Sequence, residues 1–270
     1  MTTVDTPVTA ATAATATRAP STLALLGAEV RDELKQVYRE PAALFFSVLM
    51  PVAFFAFFSA MFGGETAGVG GLPVGTTMLA TFGAYGVLGA TMLTPGIGLA
   101  EERERGWLDV VKVSPVPVPL TLLAKVVATL PYCVGILGAM TATAAALGVL
   151  RIGVGQWLLL LAALLVGSLP FALIGLAVGA RASGNATTAV LNAFVIPMAI
   201  AGGLWFPLEM LPGWMGSVAQ FLPTYHLSRL ALGPLEGGAA TGSIGHAAYL
   251  LGFAVVAGAV AAVAYRRPAR

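Results

Sequence analysis

Six long apolar runs divide the chain: Ala42 to Phe62, Gly75 to Ala100, Leu120 to Leu150, Gln156 to Ala180, Thr188 to Phe206 and Ile244 to Tyr265. The stretches between and outside these runs hold all of its Asp, Glu, Lys and Arg except Lys125. A helix needs about 20 apolar residues to cross a hydrocarbon layer of roughly 30 Å, and each run meets that length. Backbone groups in lipid must be satisfied internally, so each run is predicted to be a helix, and the ten-residue alternation of a β-barrel strand is missing. The pattern predicts an all-α integral membrane protein with six transmembrane helices. The third run exceeds a perpendicular crossing and contains Pro131, which predicts a tilt or kink.

Three segments break this pattern in informative ways. Residues 21–40 place Leu23, Leu26, Val30, Leu34 and Val37 three and four apart, with Glu29, Arg31, Asp32, Glu33 and Lys35 elsewhere around the helix. That spacing predicts an N-terminal amphipathic helix lying on a membrane surface. Between the fifth and sixth runs the chain is apolar and aromatic, but Pro207, Pro212, Gly213 and Pro223 cut it into pieces too short to span. These read as re-entrant or interfacial half-helices, with Trp205 and Trp214 near the interface. The third segment, 99–120, packs Glu101, Glu102, Arg103, Glu104, Arg105, Asp109 and Lys112 between two apolar runs. Glu101 and Arg105 are four apart and can pair on one helical face. Gly106 then breaks the helix, Trp107, Leu108, Val110 and Val111 build a short amphipathic turn, and Ser114-Pro115 ends it.

Composition and charge sharpen the class. The 270 residues are 58% hydrophobic and only 10% charged, with a mean hydropathy of +0.89, whereas a soluble domain carries roughly a quarter charged residues. If the N-terminus is cytoplasmic, the inner segments hold Arg18, Arg31, Lys35, Arg39, Arg103, Arg105, Lys112, Lys125, Arg181, Arg266, Arg267 and Arg270. The outer ones hold only Arg151 and Arg229. That bias predicts both termini in the cytoplasm and the 99–120 stretch as a cytoplasmic loop. Residues 1–20, rich in Thr and Ala and lacking an apolar signal core, read as a disordered cytoplasmic tail ahead of one membrane domain over 21–270. A net charge of +2, spread over the ends of the runs, gives no footing for nucleic acid. Cys133 is the one cysteine, so no disulfide forms within the chain.

The same residues exclude several sources of energy. Apart from Lys125 near an inner end, the cores of the crossings hold no Asp, Glu, Lys, Arg or His, so the usual relays of proton- or ion-coupled transporters have no visible counterpart. The phosphate-binding pattern GxxxxGK[ST] does not occur. His226 and His246 both fall in or near the outer segment, and no catalytic group or metal shell assembles from the sequence. The chain is expected not to be an enzyme and to hold no metal. Any work it does is delivered by a partner.

The stretch Glu102 to Pro115, read as E-x-E-R-G-W-L-x-x-x-x-x-S-P, resembles the intracellular loop after the second crossing of the type-2 ABC exporter permeases. The stretch GGLWFPLEMLPGWMGSVAQFLPTYHL, residues 202–227, resembles that family's segment after the fifth crossing. Trp107 stands where Thr is commoner, and Asp109 replaces Glu, with apolar and acidic character kept. The resemblance implies a cytoplasmic coupling helix from Gly106 to Ser114, with Pro115 closing it, seated in a cleft of an ABC ATPase. The 21–40 helix would be a second contact. Glu101, Glu102, Arg103 and Glu104 would form a polar ring around Trp107, Leu108, Val110 and Val111, with Arg105 also among the coupling residues. Two permease chains, as a homodimer, would join two ATPase subunits carrying ATP and magnesium.

An uncharged crossing set implies an apolar, aromatic path and an amphiphilic substrate. Phe82, Tyr85, Asn192, Phe194, Met198 and Trp205 are the candidate lining residues, and Phe206, Pro207, Glu209, Pro212 and Trp214 the candidate outer re-entrant residues. Asn192 stands out because a carboxamide in lipid needs a hydrogen-bond partner. Gly83, Gly86, Gly89 and the Gly202-Gly203 pair are expected at close helix contacts. The resemblance implies a plasma-membrane exporter of a drug or natural-product antibiotic, with a lipid or lipid-linked glycan as the alternative cargo. A membrane scaffold or sensor subunit that docks a kinase through the charged loop is the alternative of another class.

Overall fold

The computed structural model describes residues 21–39, 41–64, 72–106, 117–236 and 240–266. The proposed coupling residues Trp107, Leu108, Asp109, Val110, Val111, Ser114 and Pro115 lie outside the described residues, as do the tail 1–20 and the side chain of Val37.

Helices α1 (Thr22–Arg39), α2 (Pro41–Phe62), α3 (Val74–Glu104), α4 (Val118–Val127), α5 (Leu130–Ala146), α6 (Val154–Gly179) and α7 (Gly184–Ala201) follow one another. A 3-10 turn (Leu208–Met210) leads to α8 (Gly213–Ala219), α9 (Pro223–Leu232) and α10 (Ala240–Arg266). Five stretches are long and apolar enough to cross a membrane: α3, α4 with α5, α6, α7 and residues Gly242–Arg266 of α10. In α2 the described apolar part is Ser47–Phe62, shorter than these. The chain is a multi-pass, all-helical membrane protein among its described residues.

Helix α3 is the axis of the bundle, packed by α2, α5, α6, α7 and α9, while α10 lies against α6 and α9. Its core joins Phe55 of α2, Leu79, Phe82 and Leu88 of α3, Ile136 and Met140 of α5, Leu160 and Phe171 of α6, and Leu227 of α9. A smaller core at the α1 end holds Leu99, Leu122, Leu176, Ala180, Ala261 and Tyr265.

Local sequence sets the breaks. The third run is two helices, because Pro131 cannot donate to the ladder and the chain pauses at Ala128 and Thr129 before α5 starts. The fifth helix begins and ends earlier than the expected Thr188 to Phe206. Ser183 Oγ accepts from Ala186 N at 3.2 Å and caps α7 at Gly184, and Gly203, at φ +76°, stops it after Ala201.

The tightest helix contact is also not at the expected glycines. A Cβ added to Gly175 or Gly179 of α6 would fall on the carbonyl oxygens of Met92 or Gly96 in α3. Only glycine allows those backbones to meet. Gly86 does sit against Ile136 and Pro51, whereas a Cβ at Gly89 would meet nothing within 4 Å.

Candidate functional site

The last turn of α3 gathers four other parts of the chain at the end of the bundle that carries α1. Lys125 Nζ on α4 lies 2.7 Å from Glu102 Oε1 of α3 and 2.7 Å from Glu33 Oε1 of α1. Its side chain is 3% exposed. Taking an ammonium out of water is costly unless carboxylates meet it, and two do. Burial pushes the Glu33 carboxyl above its ordinary range; Lys125 pulls it back, while Glu102 and Glu29 add to the rise.

The next residues bind the link between α6 and α7. Arg103 donates from Nη1 to Ala180 O at 3.1 Å and from Nη2 to Ala182 O at 2.7 Å. Those carbonyls follow the C-terminus of α6, where a cation complements the helix dipole. Glu104 Oε1 accepts from Gly184 N at 3.2 Å, placing a carboxylate at the N-terminus of α7. Outside this inner set, Arg105 Nη2 pairs with Glu101 Oε2 at 2.6 Å on the surface, as the spacing of four predicts. Gly106 then takes φ +74°, and its amide bonds Arg103 O at 3.0 Å, which ends α3.

Thus Glu102, Arg103 and Glu104 bind their own chain, and only Glu101 and Arg105 remain as a surface pair. Glu33, Lys125, the carbonyls of Ala180 and Ala182, and the Gly184 amide escaped the sequence reading. One signal for part of it was available: Lys125 is the lone charge inside an apolar run and needs a counter-charge. On α1, Leu26, Val30 and Leu34 are partly covered as expected, but Leu23 is 81% exposed and Glu33 turns inward with the apolar face.

At the opposite end, the candidate path residues divide into two groups. Tyr85 meets Trp205 edge-on at 5.1 Å, Phe54 meets Trp205 at 5.5 Å, Phe82 meets Phe58 at 5.6 Å, and Phe206 meets Phe58 at 6.4 Å. Phe82 is enclosed by its own chain at 1% exposure. Met198 packs partly buried on the same core. Trp205 Nε1 is buried with no hydrogen-bond acceptor among the described residues. Asn192 and Phe194 stand apart on the open face of α7, where Asn192 Nδ2 donates to Thr188 O at 2.9 Å and Phe194 is 56% exposed. One donor of the amide is therefore met within its own helix.

Of the outer residues, Pro207 and Pro212 precede the 3-10 turn and α8, Glu209 and Trp214 are exposed, and α9 turns Leu227 and Ala231 into the core. His226 and His246 face each other there, Nδ1 to Nδ1 at 2.8 Å, and His226 stacks on Tyr249 with centroids 3.7 Å apart. No group of three or more His, Cys, Asp or Glu side chains suited to a metal forms among the described residues.

Similarity to known proteins agrees with this architecture. The family model described as "ABC-2 type transporter" matches residues 24–234. The chain is also similar to a Bacillus subtilis (strain 168) protein named "Putative transport permease YvfS", 26% identical over 209 residues, which cover 77% of this chain and 84% of that protein. The matched span begins inside α1 and runs through the anchored turn of α3 to the end of α9, and by it the chain belongs to the ABC-2 type transporter family as a transmembrane transporter subunit.

Proposed function

We propose that this chain is the permease of an ATP-driven exporter that moves a hydrophobic or amphiphilic compound, a drug or natural-product antibiotic, out of the cell. Six helices cross the plasma membrane, α2 being the first, and both termini and the α1 end face the cytoplasm. Helices α8 and α9 are re-entrant from the outside. Two copies of the chain pair, and each engages one cytoplasmic ABC ATPase that carries the ATP and magnesium.

The observation that carries this reading is the anchoring of the last turn of α3. Residues 107–116 connect α3 to α4, and the turn just before them is tied to α1, α4, α6 and the start of α7. A short helix in that connection, pushed by closure of an ATPase dimer, would move α3 and α4 as a unit. The ties would then pass the motion to α6 and α7. Trp107, Leu108, Val110 and Val111 supply the apolar face that a cleft on the ATPase would bury. Tyr85, Met198 and Trp205 are the favoured substrate contacts of the aromatic set, and the unmet Trp205 Nε1 suits a substrate with a hydrogen-bond acceptor.

Co-purification with candidate ATPase subunits tests the partnership. Wild-type chain is expected to retain one ATPase per permease. Trp107→Glu places a charge in the buried face, and Gly106→Pro cannot adopt φ +74°; both are expected to lose the ATPase while the bundle stays folded. Equal retention by wild type and both variants would sink the reading.

A further inference from the structure

Arg181 is, with Arg39 and Arg266, one of the cations of the α1 end that make no ion pair among the described residues. It follows α6 by two residues, is exposed, and has no ion pair or side-chain hydrogen bond among the described residues. The carboxylates of the neighbouring α3 turn are all engaged: Glu101 by Arg105, Glu102 by Lys125, and Glu104 by the Gly184 amide. Arg181 instead borders a cavity of about 380 Å³ whose other walls are Ala259, Val260, Val263 and Ala264 of α10.

The position of this cavity along the helix matters. Arg266 closes α10, and Val263 and Val260 lie three and six residues before it, which at 1.5 Å per residue is roughly 5 and 9 Å below the helix end. Arg181 lies two residues beyond α6, a helix long and apolar enough to cross a membrane, so a crossing of that length would bring it to the level of the headgroups. Val260 and Val263 are 55% and 51% exposed on a helix whose apolar window is only 17% buried within the chain. Small apolar side chains thus line an open groove one to two turns from the end of α10, with an unpaired guanidinium at its edge.

From this geometry we propose that the groove between Arg181 and the last turns of α10 is a binding site for an anionic phospholipid. Its phosphate is bound by Arg181, and one acyl chain lies along Ala259, Val260, Val263 and Ala264. Guanidinium matches phosphate oxygens bidentately, and basic groups at helix ends select anionic headgroups by charge. Charge complementarity argues for this occupant: the groove's own wall offers no acidic side chain to meet Arg181, which leaves the guanidinium for an anionic headgroup.

The test needs only the purified chain. It is reconstituted in vesicles of equal phosphatidylglycerol and phosphatidylcholine, extracted in mild detergent, and its retained lipid is read by native mass spectrometry. Wild type is expected to keep phosphatidylglycerol over phosphatidylcholine roughly fivefold, the worth of one basic residue at the surface. Arg181→Gln is expected to lose that preference, and Val260→Trp, which fills the groove, to lose the lipid with Arg181 still present. Arg151→Gln, changing a cation beyond α5 at the other end, is expected to behave as wild type. Circular dichroism and melting confirm that each variant is folded. Equal retention of the two lipids by wild type overturns the site, as does an Arg181→Gln chain that keeps its preference. Complete displacement by soluble glycerol phosphate, or a Val260→Trp chain that turns from dimer to monomer with lipid retention unchanged, also overturns it. None of these readouts involves the ATPase, so they succeed or fail independently of the export reading.

Discussion

Lys125 holds two carboxylates that lie far apart in sequence, Glu33 by 92 residues and Glu102 by 23. Removing one partner of a buried ion pair typically costs about 3–5 kcal/mol, because the other charge stays buried alone. Lys125→Met is therefore expected to lower the melting temperature sharply. The triple variant Lys125→Met, Glu33→Gln, Glu102→Gln removes all three charges together and should recover most of the loss. A Lys125→Met chain that melts like wild type would contradict the triad. This is the part of the site least visible in the sequence. The periodicity of α1 put Glu33 on its polar side, and only tertiary docking against α4 reveals why an acid shares the covered face. By contrast the Glu101–Arg105 pair and the break at Gly106 were legible, since both depend on neighbours within one turn.

Among elements, the α3–α6 contact and the α9–α10 contact carry separate predictions. A side chain at Gly179 must push α3 away, and overpacking of a tight contact costs typically about 1–3 kcal/mol. Gly179→Leu is expected to destabilise by at least that amount, whereas Gly89→Leu, with open space around it, should melt within about 0.5 kcal/mol of wild type. Equal melting of the two variants would contradict the close approach. At α9, Gln220 O lies 2.9 Å from His226 Nε2, so that nitrogen carries the hydrogen and His226 Nδ1 accepts from His246 Nδ1. Burial holds the His226 imidazole below its ordinary value of 6.5. Protonation would set two N–H groups against each other, with Arg229 nearby on the same helix and paired to Glu236, and with Tyr225 and Tyr249 around the rings. A lowered pKa means that the folded state binds fewer protons than the unfolded one. The link is therefore complete above pH 6.5 and is lost as pH falls through the lowered value. Amide exchange of residues 213–232, corrected for intrinsic rate, should show protection lost on acidification in wild type and flat protection in His226→Phe. Protection that is flat in wild type would rule the link out as a pH-sensitive contact.

Hydropathy made these elements legible in most cases, because crossing helices must be long and apolar whatever their neighbours are. Boundaries were less so: Ser183 and Gly203 set the ends of α7 through a cap and a left-handed turn inside a stretch that hydropathy reads as continuous. Of the expected glycine contacts Gly86 and Gly202 are close ones and Gly89 is not, while Gly175 and Gly179 were missed because they differ from Gly89 only in what faces them.

Across the whole molecule, one end is a charged junction and the other an aromatic core under the short helices α8 and α9. Helix α3 joins them, with Phe82 and Tyr85 toward one end and Glu102, Arg103 and Glu104 at the other. On our account, ATPase motion enters between α3 and α4 and leaves at the aromatic end along α3, α6 and α7. The most direct measurement is substrate-stimulated ATP turnover of the reconstituted permease–ATPase complex with Arg103→Gln and Glu104→Gln combined. These substitutions leave residues 107–116 intact but cut the ties to α6 and α7. The ATPase should stay bound and basal hydrolysis persist, while stimulation by substrate falls at least about tenfold, the effect of roughly 1.4 kcal/mol of lost coupling. Stimulation equal to wild type would contradict that route.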